Sequence, residues 1–152
     1  MDWVIQKATE LGVTHVSPLL TERTEVKLKA DRAEKKRQHW QQIAISACEQ
    51  CGRNRLPVIN PLTLLPKWLN DSQAELKLVL HHRAENLSAQ STPPRSIDLL
   101  IGPEGGLSPD EIHLAEQRAF RALRLGDRVL RTETAPLAAL SILQARWGDM
   151  AP

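Results

Sequence analysis

The sequence predicts an α/β fold with a mostly parallel sheet flanked by helices, and three observations carry that prediction. Short apolar runs suited to strands alternate with amphipathic stretches suited to helices, the order that builds parallel sheets. The run Ile97-Asp-Leu-Leu-Ile101 is apolar enough for a central parallel strand. Two glycine-bearing segments, Gly102-Pro-Glu-Gly-Gly106 and Leu125-Gly-Asp-Arg-Val-Leu-Arg-Thr-Glu-Thr-Ala135, stand where a strand hands over to a helix. That places both at the carboxyl edge of the sheet, where open α/β folds bind ligands.

Along the chain, Trp3, Val4, Ala8 and Leu11 share the spacing of one helix face, and Gly12 closes that helix. His15-Val-Ser-Pro-Leu-Leu20 reads as one short strand, and residues 28–51 as a long amphipathic helix ending at Gly52. Its buried stripe is Trp40, Ile43, Ala44 and Ala47. Residues 56–60 read as a brief strand before a proline-rich turn, residues 64–69 as a short helix, and residues 76–80 as a strand. Residues 88–95, with Ser, Thr and two prolines, read as a connection within one domain. Ser108-Pro109-Asp110-Glu111 is a helix start, with Ser as cap, Pro in first position and Glu three after the cap. That helix is expected to reach about Phe120. A short strand over 121–125 follows, and then a last helix capped by Thr132 or Thr134, apolar at Leu137, Leu140, Ile142 and Leu143.

The length of 152 residues suits one compact domain. The 20 Lys and Arg against 18 Asp and Glu leave a mild net charge of +2, so distribution says more than the total. Lys27, Lys29, Arg32, Lys35, Lys36 and Arg37, interrupted by Asp31 and Glu34, read as a solvated helix face. Arg118, Arg121, Arg124, Arg128 and Arg131 flank the second glycine segment. No apolar run is long enough to cross a bilayer, and the start lacks the regions of a signal peptide, so a soluble cytoplasmic protein is expected. Cys48 and Cys51 form a C-x-x-C inside a helical stretch. A redox pair usually opens its helix and a zinc site needs two more ligands, and the adjacent His81 and His82 would point to opposite faces of a strand; neither reading is favoured.

A glycine loop leading into a helix start suits an anion. Here, however, neither phosphate-loop spacing is present, and Glu104 would repel a phosphate. An uncharged nucleoside, or one bearing a cation, fits better. The bland reading of Gly105 and Gly106 is a tight turn before Ser108. Against it stands the second segment, whose alternation of charge and apolarity through Arg128, Leu130, Arg131 and Glu133 is unusual for a connector.

Gly102-Pro-Glu-Gly-Gly-Leu-Ser followed by Leu125-Gly-x-Arg-x-Leu-Arg-x-Glu-Thr-Ala resembles the RsmE family of ribosomal RNA methyltransferases, members of the SPOUT superfamily. Gln6-Lys-Ala-Thr-Glu-Leu-Gly-Val13, Pro18-Leu-Leu-Thr-Glu-Arg23 and Glu49-Gln-Cys-Gly-Arg53 resemble family segments in the same order. The similarity spans nearly the whole chain. It implies S-adenosylmethionine as methyl donor, N3 of a uridine in 16S ribosomal RNA of the small subunit as acceptor, a homodimer, and a SPOUT-type sheet with a deep carboxyl-terminal trefoil knot. Sequence rules alone would reject such a knot.

Transfer of a methyl from a sulfonium demands in-line approach, so positioning supplies most of the catalysis without a metal. The proton on N3 must be removed, or the resulting anion stabilised. Arg131 is assigned to stabilise that charge, and Glu133 to accept the proton or orient Arg131. The structural alternatives are an ion pair of Arg131 with Glu133 or Glu104, and helix capping by Glu133. By resemblance, main-chain groups of Leu80, Gly102, Gly105, Leu125, Gly126 and Leu130 hold the adenosine. His81, Glu104, Gly106, Arg131 and Thr132 join them around the cofactor. Arg23, Gln50, Arg53 and Arg128 are assigned to the RNA substrate, with intersubunit packing as the alternative for the first three.

The family carries an amino-terminal PUA-like β-barrel and a strand opening the SPOUT sheet, and neither is seen before Met1; residues 1–152 are therefore read as the catalytic domain of a longer protein. Thr132 stands where the family more often has Ala. Two rival readings are a noncatalytic RNA-binding or ribosome-assembly module that keeps the fold, and a nucleotide-binding phosphotransferase, which the missing phosphate-loop lysine disfavours.

Overall fold

The computed structural model describes residues 1–24, 30–81 and 92–150. The expectations for Lys27, Lys29 and His82, for the first two residues of the helix begun at 28, and for 88–91 lie outside them. Helix α1 (Asp2–Glu10) leads to strands β1 (His15–Val16) and β2 (Leu19–Leu20), then helix α2 (Ala30–Cys51). Strands β3 (Val58–Ile59) and β4 (Thr63–Leu64), helix α3 (Leu65–Asp71) and strand β5 (Leu76–Leu80) follow. Strand β6 (Ile97–Leu100), helix α4 (Pro109–Gln117), strand β7 (Arg121–Leu123) and helix α5 (Ala135–Trp147) complete the chain.

Among the described residues all strand pairings are parallel: β1 with β3, β2 with β4, and β5 with both β6 and β7. The three-stranded sheet therefore runs β6-β5-β7, with β5 in the centre. This corrects the expectation that 97–101 is the central strand. β7 takes the other side of β5, and Asp98 inside β6 accepts a hydrogen bond from Ser72 Oγ at 2.6 Å.

Alternation along β5 sorts its side chains between two layers. Val79, with Leu100 of β6, packs against Leu65 and Leu69 of α3, Ala115 of α4, and Phe120. Leu76 and Leu78, with Leu123 of β7, pack against Leu143 of α5. The result is a parallel sheet with helices on both faces. A third cluster, Ile5, Trp40, Ala44 and Ile59, joins α1 to α2 and β3. The carboxylate of Asp2 adds to that joint: Trp40 Nε1 donates to it at 3.0 Å, and His39 Nε2 lies 2.7 Å away and holds it below the usual carboxylate range.

Several expectations needed revision. The run 15–20 is two strands with different partners, because Pro18 between them has no N–H for a ladder. β4 was unforeseen. On α1 the buried residues are Ile5, Ala8 and Thr9, while Trp3 is half exposed. Helix α4 stops before Phe120 because Ala119 takes a left-handed φ of +65°, letting Phe120 N–H bond to Ala115 O. On α5 the core residues are Pro136, Ala139 and Leu143, and Ile142 faces solvent. Neither Thr132 nor Thr134 caps it by side chain; the Arg131 carbonyl instead accepts both Thr134 and Ala135 N–H groups at 2.9 Å.

Three other expectations of local structure stand. Gly12 ends α1, β5 spans the expected residues, and Arg32, Lys35 and Lys36 lie on an exposed face of α2. Cys48 is buried and Cys51 exposed within α2, and no disulfide joins them. No helix among the described residues is long and apolar enough to cross a membrane.

Arg53, just past α2, donates from Nη1 to Thr9 O at 2.6 Å and Val13 O at 3.0 Å, fastening the carboxyl end of α1. A charged donor serving two carbonyls is worth about 1.5–3 kcal/mol. Arg53→Ala should lower the unfolding free energy by about 2 kcal/mol, and Tm by roughly 2–4 °C per kcal/mol. Urea and thermal unfolding measure both, and an unchanged midpoint would show the contact to be idle.

Candidate active site

The carboxyl ends of β5, β6 and β7 and the segments that leave them enclose an open cavity of about 540 Å³, a size usual for small-molecule sites. Its first wall is the loop after β6. Gly106 N–H donates to Pro103 O at 2.8 Å, folding the loop on itself. Gly102 is needed for that closeness, since a Cβ there would lie 2.9 Å from Leu107 N and 3.1 Å from Leu107 Cγ. Leu107 then plugs into the core, and Ser108 caps α4. The capping box is complete: Ser108 Oγ accepts from Glu111 N–H at 3.2 Å, and Glu111 Oε2 accepts from Ser108 N–H at 2.9 Å. The other oxygen of Glu111 accepts from Glu22 N–H at 2.8 Å. Beside it Arg23 Nη1 donates to Gly105 O at 2.7 Å, so the turn after β2 is strapped to the first loop.

The second wall is the segment after β7. Arg124 donates from Nε to Gly126 O at 3.0 Å and pairs through Nη2 with Asp127. Gly126 has φ +78°, a region L side chains seldom adopt, and no heavy atom lies within 4 Å of where its Cβ would be. The chain there passes by open cavity. The floor is the end of β5, where Leu80 and His81 line the space. The main-chain N–H of His81 is committed to Leu123 O at 3.0 Å, which fixes the end of β5 against β7.

Every residue expected around the cofactor lines this one cavity: Leu80 and His81, then Gly102, Glu104, Gly105 and Gly106, then Leu125, Gly126, Leu130, Arg131 and Thr132. Glu133 joins them, as do Arg23 and Arg128 from the set assigned to RNA. Gln50 and Arg53 do not; Gln50 is exposed near the end of α2, and Arg53 is tied to α1. Glu104, Arg128, Arg131 and Glu133 are exposed, and among the described residues Arg131 pairs with neither glutamate. Leu107 and Val129 also line the cavity and went unnoticed. Leu107 had a signal, the apolar position just before an N-cap. Val129 had none.

Residues 1–144 match the RNA methyltransferase domain family. The chain belongs to that family. Among its relatives, a protein named ribosomal RNA small subunit methyltransferase E from Buchnera aphidicola (Schizaphis graminum) is 41% identical, covering 99% of this chain and 62% of its own. The protein of the same name from Bacillus subtilis is 37% identical, covering 94% and 60%. The chain thus spans about three fifths of the length of these relatives. Two solved structures share the fold closely. A putative methyltransferase from Legionella pneumophila with bound SAM superposes with TM-score 0.90 at 45% identity, covering 96% of this chain and 61% of that one. Ribosomal RNA small subunit methyltransferase E from Neisseria gonorrhoeae, bound to S-adenosyl methionine, gives 0.89 at 42%, covering 97% and 61%. The resemblance of the glycine segments to RsmE sequences is thereby borne out.

In this methyltransferase domain the two loop glycines should respond differently to a methyl group. Gly102→Ala forces a Cβ against fixed main chain and should cost about 1–3 kcal/mol. Gly126→Ala meets only its φ strain, about 1–2 kcal/mol. Urea unfolding of both variants checks the order, and a Gly102→Ala protein as stable as wild type would show that the first loop relaxes freely.

Proposed function

We propose that this domain transfers a methyl group from S-adenosylmethionine to N3 of a uridine in 16S ribosomal RNA, acting in the cytoplasm on the small ribosomal subunit. The observation that carries the reading is the convergence of both glycine segments on one cavity, with Gly126 bordering empty space. The family and the named relatives support it. The cavity suits the cofactor chemically as well. Its walls offer main-chain polar groups between Leu80, Leu107, Leu125 and Leu130, with the Glu104 carboxylate at the rim, and a carboxylate favours a cationic ligand over a phosphate.

When bound, S-adenosylmethionine supplies an electrophilic methyl on a sulfonium that becomes a neutral thioether. Main-chain groups of Leu80, Gly102, Gly105, Leu125, Gly126 and Leu130 hold the adenosine, with His81, Gly106 and Thr132 completing the enclosure. Arg131, exposed at the rim and without an ion pair to Glu133 or Glu104, is available to stabilise the negative charge that develops on uracil as the N3 proton leaves. Glu133 accepts that proton or orients Arg131. Arg128, exposed on the same segment, meets the RNA backbone, where a cation adds affinity more than specificity.

Residues 1–152 are read as one SPOUT-type domain of a longer protein, with a carboxyl-terminal trefoil knot and a homodimeric state. Support for the dimer comes from α5. Leu137, Leu140 and Ile142 stay half-buried or exposed on a helix that is apolar around most of its surface, and such a helix calls for cover on more than one side.

Calorimetric titration with S-adenosylmethionine should give saturable heat, and Gly126→Val should abolish it while the protein stays folded. Absence of heat and of any thermal shift at millimolar cofactor removes the reading, and unchanged affinity in Gly126→Val misplaces the pocket. Undermethylated small subunits incubated with protein and cofactor should gain a single methyl on a uracil, located by mass spectrometry. Arg131→Ala should slow that reaction about 100-fold or more, and an unaltered rate would take Arg131 out of the chemistry.

A further inference from the structure

We propose that Arg23 is a positioning residue for the cofactor loop, held in place by Glu111, and that its role is exercised on cofactor affinity and not on the RNA backbone. The inference rests on the S-adenosylmethionine reading given above. A basic side chain beside a candidate RNA-modifying site invites assignment to a phosphate, but one arm of this guanidinium is spent on the loop main chain. Its Nη1 donates to Gly105 O at 2.7 Å. Its Cβ and Cδ each lie 3.5 Å from where a Cβ of Gly105 would sit, so the side chain runs close beside the loop. From there Arg23 lines the same cavity as Gly102, Gly126 and Arg131.

The placement of Arg23 is inherited from Glu111. One carboxylate, nearly buried, accepts Ser108 N–H at the end of the glycine loop and Glu22 N–H in the turn that carries Arg23. That turn is closed by Thr24 Oγ1, which accepts from Thr21 N–H at 3.0 Å. Turn and loop are therefore fixed to a common point, and the bond from Arg23 to Gly105 closes the ring between them. A loop held in this way loses little freedom when a ligand arrives, so binding is tighter than to a loop that must be ordered first. Releasing Arg23 leaves the glycine loop and the second wall in place and loosens the first wall, which is why exchange at Gly105 and Gly106 is measured beside affinity.

Arg23→Ala should weaken S-adenosylmethionine binding about tenfold by calorimetry, and Arg23→Lys, which keeps one donor, should recover part of the loss. In the methylation assay the KM for cofactor should rise while kcat is nearly kept. Amide hydrogen exchange at Gly105 and Gly106 in the ligand-free protein should quicken, a readout independent of turnover. Binding of small-subunit ribosomal RNA, followed by fluorescence anisotropy across a salt series, should keep its slope, whereas loss of a phosphate contact would reduce the slope by about one. Glu111→Gln should weaken the cofactor similarly, and the double variant Arg23→Ala/Glu111→Gln should be no worse than Glu111→Gln alone, since both act through one loop. Cofactor affinity unchanged in Arg23→Ala, or a salt slope lowered by one, overturns the proposal. No cofactor binding in wild type would overturn the proposed function together with it, whereas equal binding in wild type and Arg23→Ala sinks this inference alone.

Discussion

The carboxylate of Glu111 is the point on which the site is hung. A charged group only 7% exposed is costly to desolvate unless its oxygens are answered. Here each oxygen accepts a main-chain N–H, one from Ser108 and one from Glu22, 89 residues away in the chain. The start of α4 adds the favourable end of a helix dipole. Because leaving either oxygen unanswered is costly, the carboxylate ties together three separate pieces of chain: the turn after β2, the glycine loop after β6, and the first turn of α4. Gly102 then admits the loop against Leu107 main chain, and Leu107 itself is core. The first wall of the cavity is continuous with the hydrophobic interior.

That interior sets where the walls stand. Val79 and Leu78 face opposite layers, so β5 is clamped between α3 and α4 on one side and α5 on the other. Pairing of β6 and β7 on either side of it brings two loops out side by side. The charged residues they carry at the rim, Glu104, Arg128, Arg131 and Glu133, remain in water. An exposed cation gains little from an exposed partner, so holding Arg131 free of Glu133 forfeits little stability.

Much of this was legible in the sequence because it depends on local chemistry. Ser108, Pro109 and Glu111 announce a capped helix whatever surrounds them, and Leu76 to Leu80 announce a strand. The glycine segments were legible as a pair because each sits at a strand-to-helix handover. What escaped depends on distant partners. Pro18 splits 15–20 into two strands only because β3 and β4 offer separate pairings, and β4 exists only as the partner of β2. Glu111 was visible as a capping residue and invisible as the acceptor for Glu22. Arg53 resembles a segment assigned to RNA, yet its guanidinium closes the end of α1, a fact carried by the fold and not by the spacing.

The two walls are braced in different ways. Among the described residues, the first is tied from outside itself, by Glu111 to Glu22 and by Arg23 to Gly105. The hydrogen bonds of the second are local, from Arg124 to Gly126 and Asp127 and from the start of α5 to the Arg131 carbonyl, while Leu125 at its start packs against the cluster of Leu78, Leu123 and Leu143. Its middle presents Val129 at 79% exposure. A segment whose contacts are local opens at lower free energy than one anchored to the core. The first wall is therefore braced by more distant parts of the chain than the middle of the second. Arg128 and Arg131, both exposed, lie on that second wall.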